Sequence, residues 1–130
     1  MQLRVLMMAL VLIPMSLPAH ALDPRLERSL QRLDPATRFE QLCDVEAMRH
    51  IRQDGHGYHP DRAVADAISS PQSKGNVLKG NGAAFRSDGH WYRYDFTCKS
   101  SPDHMKVLDF DYHVDGMIPQ SQWANYGLWQ

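Results

Sequence analysis

The chain has 130 residues, with 14 Lys+Arg against 15 Asp+Glu, seven histidines, two cysteines and a formal net charge of −1. That length allows one domain of ordinary size around one modest core. The near balance of charge, with no cluster of Lys and Arg, excludes the basic patch that nucleic-acid binding proteins use to neutralise phosphates.

The N-terminal "MQLRVLMMALVLIPMSLPAHALD" places Arg4 ahead of an apolar run from Val5 to Leu17, followed by Ala19-His20-Ala21. Charge, apolar core and small-x-small cleavage site, in that order, predict a secretory signal peptide over residues 1–21. Cleavage after Ala21 and export to the periplasm, or beyond it, are expected. An uncleaved anchor fits poorly, because about 20 apolar residues are needed to cross a bilayer and this shorter run is broken by Pro14. No membrane span is expected in residues 22–130, which form the single predicted domain. Losing Arg4 leaves that domain with a net charge of about −2. Cys43 and Cys98 both survive cleavage, and an even pair in an oxidising compartment predicts one disulfide.

"LDPRLERSLQRL" and "LDPATRFEQLCDVEAMRHI" both open on Leu-Asp-Pro. Aspartate caps a helix N-terminus and proline tolerates the first helical position, so two helices are predicted to start near Asp23 and Asp34. In the second, Phe39, Leu42, Cys43, Ala47 and Ile51 recur at the spacing of a buried helix face. The glycines of "DGHGYHP" end it. A short third helix, "PDRAVADAI", is expected from Pro60-Asp61 until "SSPQSKGN" stops it.

The back half alternates and is rich in aromatic and β-branched residues, which predicts strands in "NVLKGNGAAFRSDGHWYRYDFTC" and "MKVLDFDYHV". Gly80, Gly82 and Gly89 read as turn punctuation. One face of "HWYRYDFTC" carries Tyr92, Tyr94, Phe96 and Cys98, and the other Trp91, Arg93, Asp95 and Thr97. In the next strand Leu108, Phe110, Tyr112 and Val114 share a face opposite Asp109, Asp111 and His113. The short connection "KSSPDH" predicts an antiparallel hairpin. Setting Phe96 against Leu108, Tyr94 against Phe110 and Tyr92 against Tyr112 builds a continuous core ladder. The outer face then pairs Arg93 with Asp111, Trp91 with His113 and Asp95 with Asp109. A slip giving Arg93–Asp109 and Asp95–Val107 is not excluded by charge. Because Cys98 shares the core face of its strand and Cys43 the buried face of its helix, the disulfide is expected to staple helix to sheet.

Two groups of residues carry possible chemistry. His56 and His59 in "HGYH" are the tightest histidine pair, but a metal centre needs three or four ligands with outer-shell partners, and no metal or other cofactor is expected. The outer strand face, with Trp91, Arg93, Asp95, Asp109, Asp111 and His113, is the candidate binding surface, extended by neighbouring Arg86 and His90. Trp and Arg are enriched where contact surfaces carry their energy. Against this, alternating charges are the ordinary solvated face of an antiparallel sheet, and Trp91 could be covered by the aromatic C-terminus "QWANYGLWQ". No nucleophile motif, phosphate loop or paired-cysteine redox motif is present.

With "LDPATRFEQLCDVEAM", "GAAFRSDGHWYRYDFTC", "SPDHMKVLDFDYHV" and "IPQSQWANYGLW" in place, the chain resembles the proteobacterial, mainly rhizobial, domain of unknown function family numbered 930. Phe85, Arg86, Ser87, Gly89, Trp91, Tyr92, Cys98, Ile118, Pro119 and Trp123 sit at the positions of its pattern. The resemblance implies export, pairing of the two cysteines and a single domain, and it brings no activity with it. Asp109 and the "DGHGYH" loop fall outside the pattern.

The expected architecture is an α+β domain, with N-terminal helices packed on one face of a small antiparallel sheet and one disulfide, Cys43–Cys98. The expected role is a non-enzymatic binding or envelope-associated module whose partner is a protein or cell-wall ligand. The alternatives are a small periplasmic hydrolase using Asp95, Asp109 and His113, and a purely structural envelope protein.

Overall fold

Two Leu-Asp-Pro triplets begin two helices in the computed structural model of the chain, which describes residues 22–130; the predicted signal peptide lies outside the described residues. Asp23 caps α1 (Pro24–Gln31) by accepting the Arg25 N–H at 2.8 Å, and Asp34 caps α2 (Pro35–Gln53) by accepting the Thr37 N–H at 3.1 Å. Arg38 ties the pair together by donating to the Leu30 and Leu33 carbonyls, and it reaches across to the Asp103 carbonyl of a distant loop. The buried face of α2 is Phe39, Leu42, Cys43, Asp44, Ala47 and Ile51. All but Asp44 belong to the stripe that helical periodicity predicts.

The third helix expected at "PDRAVADAI" is not formed: Pro60–Val64 is an edge strand, β1. It pairs antiparallel with β3 (Val77–Ser87), setting Ala63 against Phe85 and Val64 against Ala84. Pro-Asp is a purely local helix signal, and a segment this short has little helical stability of its own. Ladder bonds to β3, and two 2.9 Å hydrogen bonds from Arg86 to the Asp61 carboxylate, override it.

The five strands form one antiparallel sheet in the order β1-β3-β4-β5, with β4 spanning His90–Ser100 and β5 Val107–Met117. The short β2 (Gln72–Lys74) pairs with the start of β3. Asp88 and Gly89, with φ of 49° and 77°, make the two-residue β3–β4 turn that Asp-Gly favours. Gly80 and Gly82 are not turn residues but lie within β3 at an irregularity in its pairing with β4. A Cβ on Gly80 would stand 2.5 Å from the Phe96 ring, and one on Gly82 would stand 2.2 Å from the Ser69 hydroxyl. These glycines let the 65–71 connection press onto β3, where the Ile68 N–H donates to the Gly82 carbonyl at 2.7 Å.

The β4–β5 hairpin exists, in a different register from the one expected. Phe96 faces Tyr112, Tyr94 faces Val114 and Cys98 faces Phe110, a slip of four residues. Two bulges on β5 accompany it: Lys99 faces Asp109 while Ser100 faces Val107, leaving Leu108 unpaired, and Arg93 faces Gly116 while Tyr94 faces Val114, leaving Asp115 unpaired. The connecting loop also closes on itself. Ser101 N–H donates to the Lys106 carbonyl at 2.8 Å, and the Asp103 carboxylate accepts from the Ser101 hydroxyl and the Met105 N–H. An even slip leaves every side chain on its face, so Phe110, Tyr112 and Val114 still meet the core. Leu108, expected there too, is carried out by its bulge and is 54% exposed.

The main core lies between α2 and the sheet, where Phe39, Cys43, Ala47 and Ile51 pack on Leu78, Phe85, Tyr94, Phe96, Cys98 and Phe110. The Cys43–Cys98 disulfide joins the layers at a Cα–Cα distance of 6.1 Å. A second, smaller core lies on the opposite face, where the C-terminal 3₁₀ helix (Gln120–Tyr126) and tail bring Ile118, Trp123 and Leu128 onto Ala84 and Trp91. The sheet is thus covered by helix on one face and over only part of the other. Among the described residues, no helix is long and apolar enough to cross a membrane.

Candidate functional site

The outward-pointing residues of the sheet fall into two halves. At one end the C-terminal segment seals the face. Trp91, expected on an accessible surface, is fully buried; its indole N–H donates to the Trp129 carbonyl at 2.7 Å, and its ring meets Trp129 edge-on at 5.3 Å. Arg86 is part of the same seal. Its guanidinium carbon lies 5.8 Å from both the Trp91 and the Trp129 ring centres while its N–H groups hold Asp61. That guanidinium keeps the Asp61 carboxyl below the usual carboxylate range. Trp91 and Arg86 are therefore occupied within the protein, and neither belongs to an accessible binding surface. His90 stands exposed at the β3–β4 turn. Arg93 turns inward along the sheet, donating twice to the Asn81 carbonyl at 3.1 and 2.8 Å and approaching Asp115 at 3.7 Å.

At the other end the face is open. The register stacks two cross-strand rows there: Lys79 on β3, Thr97 on β4 and Asp111 on β5, and beside them Asp95 opposite His113. The Ser70–Gln72 segment rises beside them as a wall, held by pairing of Gln72 with Lys79 and by the Ser69 hydroxyl donating to the Asn81 side chain at 2.8 Å. The result is a groove of about 550 Å³, lined by Ser70, Gln72, Lys79, Asn81, Asp95, Thr97, Asp111 and His113 among others. Among the described residues, Lys79, Asp95 and Asp111 form no ion pair, and the imidazole of His113 approaches only Asp115, at 3.7 Å.

Of the expected surface, the fold thus brings Asp95, Asp111 and His113 together in a concave site. Asp109 is separated from them: it faces Lys99, not Asp95, and lines a different hollow with Glu46, Arg49 and His50. Lys79 and Thr97 complete the site. Both were open to detection, since alternation places them opposite the buried Leu78, Phe96 and Cys98. Ser70 and Gln72 were not, because only the β2–β3 pairing brings them there.

The His56–His59 pair divides as well. His59 Nδ1 lies 3.2 Å from the Asp88 carboxylate, and His56 lines a recess with Asp54, Tyr58 and Tyr112. Among the described residues, no group of three or more His, Cys, Asp or Glu side chains is placed to hold a metal ion.

Asp44 is the acid that periodicity does not flag. It stands 7% exposed on the buried face of α2, and its Oδ1 has no hydrogen-bond partner among the described residues. Burial, with Glu40 and Asp66 adding like charge, pushes its carboxyl well above the ordinary range, against the pull of the Ala65 backbone N–H. It lines none of the grooves described above, and its consequence is thermodynamic.

No curated protein and no solved structure matches the chain. A family model does, over residues 30–128, which includes both cysteines, every strand of the described residues and most of the C-terminal cover. The chain belongs to the family described as Domain of Unknown Function (DUF930).

Proposed function

We propose that this protein is an exported, non-enzymatic binding module of the cell envelope, and that the open half of the sheet's outer face receives its ligand. The observation that carries this reading is the division of that face. The chain uses its own C-terminus to seal Trp91, yet beside the seal it leaves a concave groove in which, among the described residues, Lys79, Asp95 and Asp111 have no ionic partner. Hydroxyl, amide, ammonium and carboxylate groups converge there, suited to a polar segment of a protein or cell-wall polymer. The signal-peptide pattern of residues 1–21 and the disulfide support the periplasm as the destination. A proteobacterial source, which the family resemblance implies, agrees with it.

A hydrolase is the weaker reading. General acid–base catalysis needs its groups within hydrogen-bond reach of one another or of the substrate. Asp109 lies in another hollow, and Asp95 and His113, although cross-strand neighbours, form no ion pair.

The test is a titration of the ¹⁵N-labelled mature domain with purified peptidoglycan fragments and with fractionated periplasmic protein. Amide shifts should gather at residues 79–81, 95–97 and 111–113 and vanish in the Asp95→Asn/Asp111→Asn variant. Shifts confined to the helical face, or unchanged by that double substitution, would overturn the assignment.

A further inference from the structure

The groove does not stop at the outer face. Among the described residues, β5 pairs only with β4, so its other edge is open along the sheet. Every second residue of such a strand directs its N–H and C=O away from the sheet, unpaired. The bulges at Leu108 and Asp115 twist the ends of β5, which leaves the six residues Asp109–Val114 as the regular part of that edge. This stretch forms a shared wall: the outer groove lies along it through Asp111 and His113, and a recess of about 450 Å³ on the inner side, between Asp54 and Tyr58, lies along it through Tyr112, His113 and Val114. The Tyr112 hydroxyl donates to the Asp54 carboxylate, fixing that inner recess to the end of α2.

We propose that the open edge of β5 is the docking line for the ligand, and that the ligand is an extended basic peptide segment of a partner protein, added to the sheet as a further strand. This rests on the outer groove being the binding site. Backbone pairing along Asp109–Val114 holds the segment, and its alternating side chains enter the outer groove and the inner recess in turn. Charge selects the occupant. In the outer groove the carboxylates of Asp111 on β5 and Asp95 beside it on β4 outnumber the Lys79 ammonium, so cationic side chains of the incoming strand that enter the groove meet carboxylates. A second copy of this chain, added antiparallel through its own β5, would bring Asp111 toward its own counterpart.

The experiment measures binding of the mature domain to four synthetic peptides by fluorescence anisotropy: an alternating Lys-Val hexapeptide, its Glu-Val counterpart, and two Lys-Val peptides N-methylated at alternate amides, one in each phase. The Lys-Val peptide should bind; the Glu-Val peptide, and the N-methylated peptide whose phase removes the edge-facing amides, should each bind at least about tenfold more weakly. Binding of the Lys-Val peptide should fall similarly in the Asp95→Asn/Asp111→Asn variant. If both N-methylated phases bind as tightly as the parent, the groove attracts cations without strand addition; the edge proposal fails and the groove reading stands. If the Lys-Val peptide binds and the double substitution leaves it unchanged, both fail. If no peptide binds while cell-wall fragments shift groove amides, only the peptide proposal fails. Sedimentation showing a dimer through β5 would assign the edge to a second copy and overturn it too.

Discussion

Replacing Asp44 with asparagine is expected to stabilise the domain at neutral and alkaline pH and to flatten its pH dependence. The carboxyl is almost fully buried, with one oxygen unpartnered among the described residues and two further acids, Glu40 and Asp66, adding negative charge. Its pKa is raised in the folded state, so its stabilising contribution is complete below the unfolded value near 3.8 and is lost as pH rises through the folded value. In that window the native state holds a proton the unfolded chain has released, and stability falls by up to about 1.4 kcal/mol per pH unit. Asparagine has nearly the same shape and no charge to desolvate. Relief of an ionised, unpartnered buried group is worth on the order of 1–3 kcal/mol, which at about 4 °C per kcal/mol for a domain of this size is a readily measured rise in Tm. Glu40, raised in the same direction chiefly by its own burial, leaves a smaller residual slope. Asp34, Asp61 and Asp103 are lowered, so their contributions are lost only as pH falls below about 4, outside the window. Urea unfolding of both proteins from pH 5 to pH 8 is the assay. The difference between them should grow with pH. An Asp44→Asn protein that is less stable than wild type at pH 8, or a difference independent of pH, would refute the reasoning.

Three further outcomes follow from the packing and the N-terminal pattern. Reducing the Cys43–Cys98 bond, whose cysteines are separated by 55 residues, should lower stability by up to about 4 kcal/mol in the chain-entropy account; identical urea midpoints with and without reductant would contradict a staple between α2 and β4. Trp123→Ala should cost about 3–5 kcal/mol and expose Trp91 to acrylamide quenching, whereas unchanged quenching would mean that the C-terminal cover does not depend on Trp123. Protein recovered from the producing cells should have the intact mass of residues 22–130 with one disulfide, and a mass that retains Met1 would remove the basis for export.

The readable parts of this fold are those fixed by local chemistry or by strict period. Asp-Pro at two helix starts, the stripe from Phe39 to Ile51 and the two faces of β4 depend on residues that are neighbours in the chain, and each stands as periodicity predicts. That both cysteines reached one interface follows from the same two periods. Register did not follow, because a slip of four residues in β5 preserves every face and only the loop and two bulges decide between the alternatives. β1 is illegible for the converse reason: Pro60-Asp61 looks like a helix start, and only Phe85, Ala84 and Arg86, more than 20 positions away, make it a strand. The same limit shaped the candidate site. Alternation placed Trp91, Asp95, Asp111 and His113 on one face, but what covers Trp91 and what walls the groove come from segments remote in sequence.

In the proposed function the open half of the sheet's outer face, and not the helical face, contacts a partner in the envelope. The most direct test of that contact is a photo-crosslinking amino acid placed in the native cell at Thr97 or His113 in the groove, and at Glu27 on the exposed side of α1. Discrete adducts are expected from positions 97 and 113, diminished by Asp95→Asn/Asp111→Asn, and none from position 27. Adducts from position 27 alone, with none from the groove, would contradict it.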